Sequence, residues 1–535
     1  MRQKAFRKTS VFLLLLILVI VTALSGCKSS DETNQSGQQG NEGNEEAAPL
    51  KELSYWVSNN RPDTLKDYNE MGAYKKLEEI TDVHVKFDHP ASGEADQQFN
   101  LMMASGELPD VIERIWTSVP GGPEKYIKDN KIVKLNDYID EHAPNFKRVL
   151  DEHPEWRKMI STDDGSIYSF PFLRQDELNL TFYGPVLRKD WLEKLNLDVP
   201  ETLDEWHTVL KAFKEKDPNG NGEADEIPLL IGTDGLTGNA FVGAFGITNG
   251  FYQVDGKVNY GPIQPEYKQF LQLFQDWYKE GLIDPEYVAT DDALKDAKVT
   301  NDQLGSLMGY SGSSILRYMQ LKDDDPDFYL TGAPYPVINK GDVPNFNLGE
   351  NNYNGVGAAI TTSNKNIVET VKWLDYKYGE DGFKLFNFGI EGESYEMIDG
   401  YPTYTEVITN NPDGKSMSEG LAMFVPAGWS GPFVQAKEYA EQYTSMPAQQ
   451  EALEQWKKGS NERIMPMVTP TQDESSKYAS IMSDINTYRS EMINKFIMGE
   501  VSLDKFDEFT ETIKSMGIDE AIEIQQAALE RYNNR

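Results

Sequence analysis

Apolar and polar positions change period along this chain, and each change predicts a different kind of segment. Residues 11–24 are almost wholly apolar and follow a start carrying Arg2, Lys4, Arg7 and Lys8. A charged start followed by an apolar core is the pattern of a secretory signal peptide. The core is about 14 residues long, short of the roughly 20 that a membrane span needs. Residues 29–49 then contain no Val, Ile, Leu, Phe, Tyr or Trp. Such a stretch buries too little apolar surface to offset its ordering entropy, so it reads as a flexible linker. From Leu53 the pattern becomes that of a folded body. Leu53–Val57 reads as a buried strand, Met71–Ile80 as a helix and Val83–Phe87 as an alternating strand. Gln97–Ala104 reads as a helix stopped by Ser105-Gly106, and Pro109–Ile112 opens a third strand. Strand, helix, strand, helix, strand predicts a parallel α/β sheet. Ligands on such sheets sit beyond the carboxyl ends of the strands, which directs attention to Asn59, Asn60, Arg114 and Trp116.

Further along, 178–187 reads as extended and 188–195 as helical. Thr202 with Glu205 three residues later predicts a capping box. The helix it opens runs to about Lys216, with Leu203, Trp206, Leu210 and Phe213 on one face. Trp191, Trp206, Trp277 and Trp373 fall within helical patterns and are expected in the core. In the tail, Leu503, Phe506, Phe509 and Ile513 make one helical stripe.

Charge and cysteine narrow the picture. The 535 residues include 51 Lys+Arg and 87 Asp+Glu, a formal net charge of −36. The leader holds only basic charges, so the remainder is more acidic still. Nucleic acid is excluded as a partner because its phosphates need a basic face. The single cysteine is Cys27, directly after Leu24-Ser25-Gly26. No disulfide framework is available. Leu-Ser-Gly-Cys resembles the lipobox of bacterial lipoproteins, in which the cysteine becomes the lipidated first residue. The resemblance implies a signal peptide at 1–26, a lipid anchor on Cys27 and a tether at 27–49. It places the protein on the extracellular face of the cell membrane, or in the periplasm.

The segments DGSIYSFP (164–171), RKDWLEKLNLDVPETLDEW (188–206) and YKEGLIDPEY (278–287) occur in this order in extracellular solute-binding proteins of carbohydrate ABC importers. The tail GEVSLDKFDEFTETIKSMGIDEAIEIQQAALERY (499–532) is similar to the end of that family's large lipoproteins. The resemblance implies a two-lobed α/β fold of the periplasmic-binding-protein type. Each lobe is a mostly parallel sheet flanked by helices, with extra C-terminal helices. Hinge strands are expected near 177–183 and 328–337, and 355–379 returns to the first lobe. The expected lobes are 50–176 with 338–390, and 177–337 with 391–535. The implied partners are an oligosaccharide in the inter-lobe cleft and ABC permease subunits in the membrane, with the binder itself a monomer.

One loop carries metal chemistry. Asp217-Pro-Asn219-Gly-Asn221-Gly222-Glu223-Ala-Asp225-Glu226 sets oxygen side chains at positions 1, 3, 5 and 9, with Gly at 6. That is the first part of an EF-hand loop, and hard oxygen donors suit Ca²⁺. Pro228 stands where the bidentate Glu belongs, and 227–231 reads as a strand instead of a second helix. The loop resembles the calcium loop of alginate-oligosaccharide-binding proteins. By that resemblance Asp217, Asn219, Asn221, Asp225 and Glu226 bind structural calcium by side chains, and Glu223 by its carbonyl.

Sugar recognition calls for aromatic faces and planar polar groups. Trp116 and Arg114 qualify by their place beyond a strand end. Tyr310 follows Leu307-Met308-Gly309 at another strand end, and Arg174 and Asp176 flank the first hinge. Tyr353 lies in an Asn-rich run, and Trp429 crowns the Gly/Pro loop 426–432. No G-x-S-x-G, P-loop or H-E-x-x-H pattern is present. The expected function is therefore a binder and not an enzyme. The alternatives are a secreted polysaccharide-active glycosidase or lyase, and a binder of a non-sugar solute.

Overall fold

Leu53, Tyr55, Trp56 and Val57 are all buried in the first strand, β1 (Glu52–Val57), so neither face of it meets water. A strand buried on both faces must lie inside a sheet covered on both sides. The computed structural model describes residues 50–535 except Leu348 and 427–429. The leader, Cys27, the tether and Trp429 lie outside the described residues. In the first sheet, β1 pairs parallel with β2 (His84–Asp88) and with β3 (Val111–Ile115). The helices Gly72–Thr81 and Ala95–Ser105 make the crossovers. β4 (Phe170–Arg174) belongs to the same sheet.

The chain then leaves for a second sheet, beginning with β5 (Tyr183–Arg188). A hairpin follows, β6 (Phe251–Val254) and β7 (Lys257–Tyr260), and then β8 (Ser306–Tyr310) and β9 (Leu330–Gly332). β5 pairs antiparallel with both β8 and β9. Parallel contacts exist here as single bridges, among them Ile227 to Leu304 and Leu230 to Leu307. The expected strand at 227–231 is thus reduced to these bridges. β10 (Tyr353–Ile360) returns to the first sheet between β3 and β4, antiparallel to both. A hairpin, β11 (Tyr395–Ile398) and β12 (Tyr401–Tyr404), precedes β13 (Val434–Gln435). β13 adds to the edge of the first sheet beside β4, although the sequence placed 391–535 in the second lobe.

Each sheet has its own core, which makes the fold two-lobed. The first sheet packs Tyr55, Val111, Phe170 and Ile360 on one face. Its other face packs Trp56, Ile112, Trp116 and Ala359 against Phe99 and Tyr126. The second lobe buries Trp191, Trp206 and Trp277, and Trp373 is buried in the first, as their helical spacing predicts. The capping box on Thr202 and Glu205 is formed at the head of Leu203–Glu215. The tail stripe Leu503, Phe506, Phe509 and Ile513 joins the second-lobe core. The chain end reaches back to the first lobe, where Arg531 and Arg535 each pair with Asp163 at 2.7 Å. A third, smaller core gathers Phe388, Tyr395, Tyr404, Ile408 and Tyr439.

Candidate functional site

Three segments running between these cores are clasped together. Glu350 N–H donates to the Leu180 carbonyl at 2.8 Å, and Arg174 N–H donates to the Asn352 carbonyl at 2.8 Å. Asn352 Nδ2 returns a bond to the Arg174 carbonyl at 2.8 Å. Asn179 Nδ2 donates to the Ala436 carbonyl at 3.1 Å. Asp176 accepts from Leu178 N–H at 2.9 Å and so caps the short turn Glu177–Asn179. It serves the clasp rather than the cavity wall.

Beside the clasp lies a cavity of about 960 Å³. Its walls come from Asn60–Thr64 of the first lobe, from Phe182, Tyr310–Ser313 and Leu316 of the second, and from the small third core at Tyr439 and Tyr443. A smaller cavity of about 350 Å³ adjoins it, and both share Phe182 and Tyr310. The chain leaves β8 at Tyr310 into a π-helical turn, Ser311–Leu316. Tyr310 is 40% exposed, unusual for so large a ring. One side of it is supported by Phe182, stacked at 5.9 Å and 18°, and by Tyr183 at 4.5 Å. A ring held on one side and open on the other is a platform. Arg174 lies between the rings of Phe172 and Phe182, at 5.4 and 5.3 Å, and ion-pairs with Glu350. Of the residues the sequence singled out, Arg174 and Tyr310 are therefore brought together at the cavity, with Asn60 in its wall.

Two of the other aromatic candidates, Trp116 and Tyr353, lie in the core, and Trp429 is outside the described residues. Trp116 is fully buried, with Nε1 donating to the Gly357 carbonyl at 3.0 Å and its ring against Phe99 and Tyr126. Tyr353 is fully buried and its hydroxyl meets that of Tyr168 at 2.9 Å. Neither ring has a face left for a sugar. Arg114 lies on the Phe99 ring at 3.8 Å and pairs with Asp96 at 2.9 Å, outside both cavities. Sequence reasoning missed Arg61, Phe182, Tyr439 and Tyr443. Arg61 directly follows the Asn59-Asn60 pair already marked by its strand end. The two tyrosines carry no local signal, since they reach the cavity only through the third core.

The acidic loop is folded around its own backbone. Asp217 accepts from Gly220 N–H at 2.9 Å and from Gly222 N–H at 3.1 Å. Gly220 and Gly222 take positive φ, 74° and 79°, which lets the loop turn inward. The side-chain amides of Asn219 and Asn221 donate to Asp225 Oδ1 at 3.2 and 3.0 Å. These bonds, Asn221's first, hold the Asp225 carboxyl below its usual range. Glu226 Oε1 is buried with no hydrogen-bond partner. Burial, and then the nearby Asp217 and Asp225, push the Glu226 carboxyl up. Among the described residues no cluster of three or more His, Cys, Asp or Glu is assembled to hold a metal. The orphaned Glu226 oxygen and the Asx donors nonetheless fit a hard cation, because EF-type loops draw on amide and carbonyl oxygens as well.

Residues 62–382 match the family described as bacterial extracellular solute-binding protein, which is more than half of the chain. The fructooligosaccharide ABC transporter substrate-binding protein FusA of Streptococcus pneumoniae serotype 4 (strain ATCC BAA-334 / TIGR4) is 29% identical over 507 residues, covering 90% of this chain and 91% of that protein. A structure of FusA with kestose superposes at TM-score 0.74 and 26% identity, covering 90% of this chain and 100% of the other. An EF-hand mutant of FusA with fructo-nystose gives TM-score 0.72 at 26% identity and the same coverage. The alginate-binding protein AlgQ2, solved without calcium ion, is 28% identical at TM-score 0.74, covering 90% of this chain and 98% of the other.

Proposed function

The chain belongs to the bacterial extracellular solute-binding protein family, and from that premise we propose that it captures an oligosaccharide for an ABC importer in the cavity beside the clasp. The observation that carries this reading is Tyr310. It is a large ring open on one face, backed by Phe182, at a cavity walled by both lobes and the third core. A sugar touching all walls binds the closed arrangement better than the open one. Its differential affinity therefore drives closure about the clasped segments. The lobes are proposed to follow the sequence division at 176/177, 337/338 and 390/391, with β13 returned to the first.

Delivery to permease subunits and anchorage through a lipid on Cys27 complete the proposed role, with the monomer as the working unit. Among the described residues no helix is long and apolar enough to cross a membrane. The relatives are described as binding proteins, which supports a binder over an enzyme.

Tyr310→Ala tests the platform. Loss of one stacking ring removes roughly 1–3 kcal/mol, the scale of burying a large apolar side chain. Affinity for the best oligosaccharide found by thermal-shift screening should fall about tenfold to a hundredfold. Unchanged affinity in calorimetric titration would remove the cavity from consideration.

We further propose that Asp217, Asn219, Asn221, Asp225 and Glu226, with the Glu223 carbonyl, hold structural calcium. The support is the buried Glu226 oxygen, together with relatives described by an EF-hand mutant and by a calcium-free form. When bound, the ion would supply positive charge to the carboxylates of Asp217, Asp225 and Glu226. Binding to the folded state alone raises stability by mass action. The melting temperature should therefore rise from EDTA to calcium in the native chain and stay level in Asp217→Ala/Asp225→Ala. Identical native melts in the two buffers would refute the site.

A further inference from the structure

Three guanidiniums line the larger cavity, and two are already neutralised by carboxylates of the chain. Arg174 pairs with Glu350. Arg317 forks onto both oxygens of Asp296, at 2.7 and 2.6 Å. Arg61 differs, because it forms no ion pair with any described residue. Its backbone is fixed: its N–H donates to Asn59 Oδ1 at 2.9 Å, and its carbonyl accepts from Thr64 and Leu65 at 3.0 and 2.9 Å. Its side chain is half-buried, and its Nε is shielded from solvent without a hydrogen-bond partner among the described residues.

The carboxylates around it compensate this charge only in part. Glu419, whose carboxyl lies in the field of both Lys415 and Arg61, is committed to its helix cap. It accepts from Ser416 N–H at 2.8 Å and from Ser416 Oγ at 2.7 Å. Lys415, on the same wall, is also in no ion pair with a described residue. The other lining carboxylates, Asp63 and Asp323, are exposed. Around Arg61 stand Tyr68, Tyr439 and Tyr443, whose phenols feel its charge, and the last two rings stack at 5.7 Å.

We infer that Arg61, with Lys415 lining the same cavity, seats a carboxylate of the ligand, so that the captured oligosaccharide carries uronate residues. The inference rests on the proposed cleft and deepens it. Sugar hydroxyls alone would leave the two cations compensated only in part, by Glu419, when closure removes water. A ligand carboxylate supplies the missing negative charge, and its two oxygens suit a guanidinium. In a chain of net charge −36, two uncommitted cations in one cavity are also the local feature that lets an anion approach.

The full chain should be titrated with trimers of galacturonate, mannuronate and glucuronate, and with the carboxyl-reduced, neutral trimers of the same linkage. At least one acidic trimer is expected to bind about tenfold or more tightly than its reduced counterpart, the scale of a charge-assisted pair. That preference should shrink as salt rises. Arg61→Gln should bring the acidic trimer down to the affinity of the reduced one. Lys415→Gln, a change on a half-exposed turn, should reduce the preference by a smaller factor. Equal binding of acidic and reduced trimers, failure of every acidic trimer to bind, or a preference untouched by both substitutions overturns the inference. If neutral trimers bind and Tyr310→Ala weakens them, the cleft itself stands as a neutral-sugar site. Only the failure of every oligosaccharide overturns both.

Discussion

Glu113→Ala is expected to cost about 3–5 kcal/mol of stability, the scale of leaving a buried charge without its compensating group. Glu113 sits in β3 with almost no exposure and accepts from the Tyr55 hydroxyl at 2.6 Å. The cation nearest to it in effect is Lys377, fully buried, with no hydrogen-bond partner for Nζ among the described residues. The ammonium is surrounded by the rings of Trp373, Phe386, Tyr74 and Tyr55, at 4.1, 4.9, 5.0 and 5.8 Å. Burial pushes the Lys377 pKa down against the pull of Glu113. Burial pushes the Glu113 carboxyl up against Tyr55, Lys377, the Gly431 N–H and His89. Removing Glu113 strands the lysine among rings. Replacing both, as Glu113→Leu/Lys377→Met, should restore most of the loss, because an apolar pair of similar volume needs no desolvation. The pH dependence follows from the directions. Between its depressed folded pKa and the ordinary lysine range, Lys377 binds fewer protons folded than unfolded, so stability rises with pH there. Between the ordinary glutamate range and its raised folded pKa, Glu113 binds more protons folded, so stability falls as pH rises there. Urea midpoints across pH, taken as native minus double variant, should therefore dip around neutrality. A flat difference would show that burial shifts neither group, and that both titrate in the fold as they do in the unfolded chain.

Trp116→Ala should likewise lose about 3–5 kcal/mol, the range for truncating a buried large aromatic. The ring fills the space between Phe99 and Tyr126, and its N–H satisfies the Gly357 carbonyl. Truncation leaves a cavity and an unpaired carbonyl on β10. Under conditions where the variant is still folded, its oligosaccharide affinity should match the native chain. Tyr310→Ala should do the reverse, with affinity lost and the urea midpoint nearly kept. A Trp116→Ala variant with a native midpoint and weakened binding would put that ring in the ligand site after all.

The contrast between these two aromatics shows what the sequence could carry. Both were chosen for their place at a strand end, and Tyr310 does line the cavity while Trp116 does not. Position along a strand says how far a residue lies toward the ligand end, but not which face it takes. Ile112, Arg114 and Trp116 alternate onto the face covered by the helix Ala95–Ser105, and the helix leaves no opening there. Strands β1 to β3, the Thr202 cap and the helical tryptophans were legible because each rests on neighbours within a few positions. The cavity was not, because residues near 60, 182, 310 and 440 meet only through the tertiary fold. Arg61 shows the same limit. A lone arginine after two asparagines has no period or motif. Its meaning comes from the carboxylates that its two fellow guanidiniums have and it lacks.

The strand order of the first sheet also bears on how the chain matures outside the cell. Neighbours there are drawn from residues 52–57, 84–88, 111–115, 170–174, 353–360 and 434–435. A polypeptide that crosses a membrane with its amino end leading presents β1 to β4 long before β10 arrives to fill the place between β3 and β4. Until then two unzipped edges stand open, a template for unwanted pairing with other chains. Closure of such distant partners is slow in its own right. The first lobe cannot be complete before about four-fifths of the polypeptide has emerged, so no early fragment, natural or engineered, should fold to a working receptor.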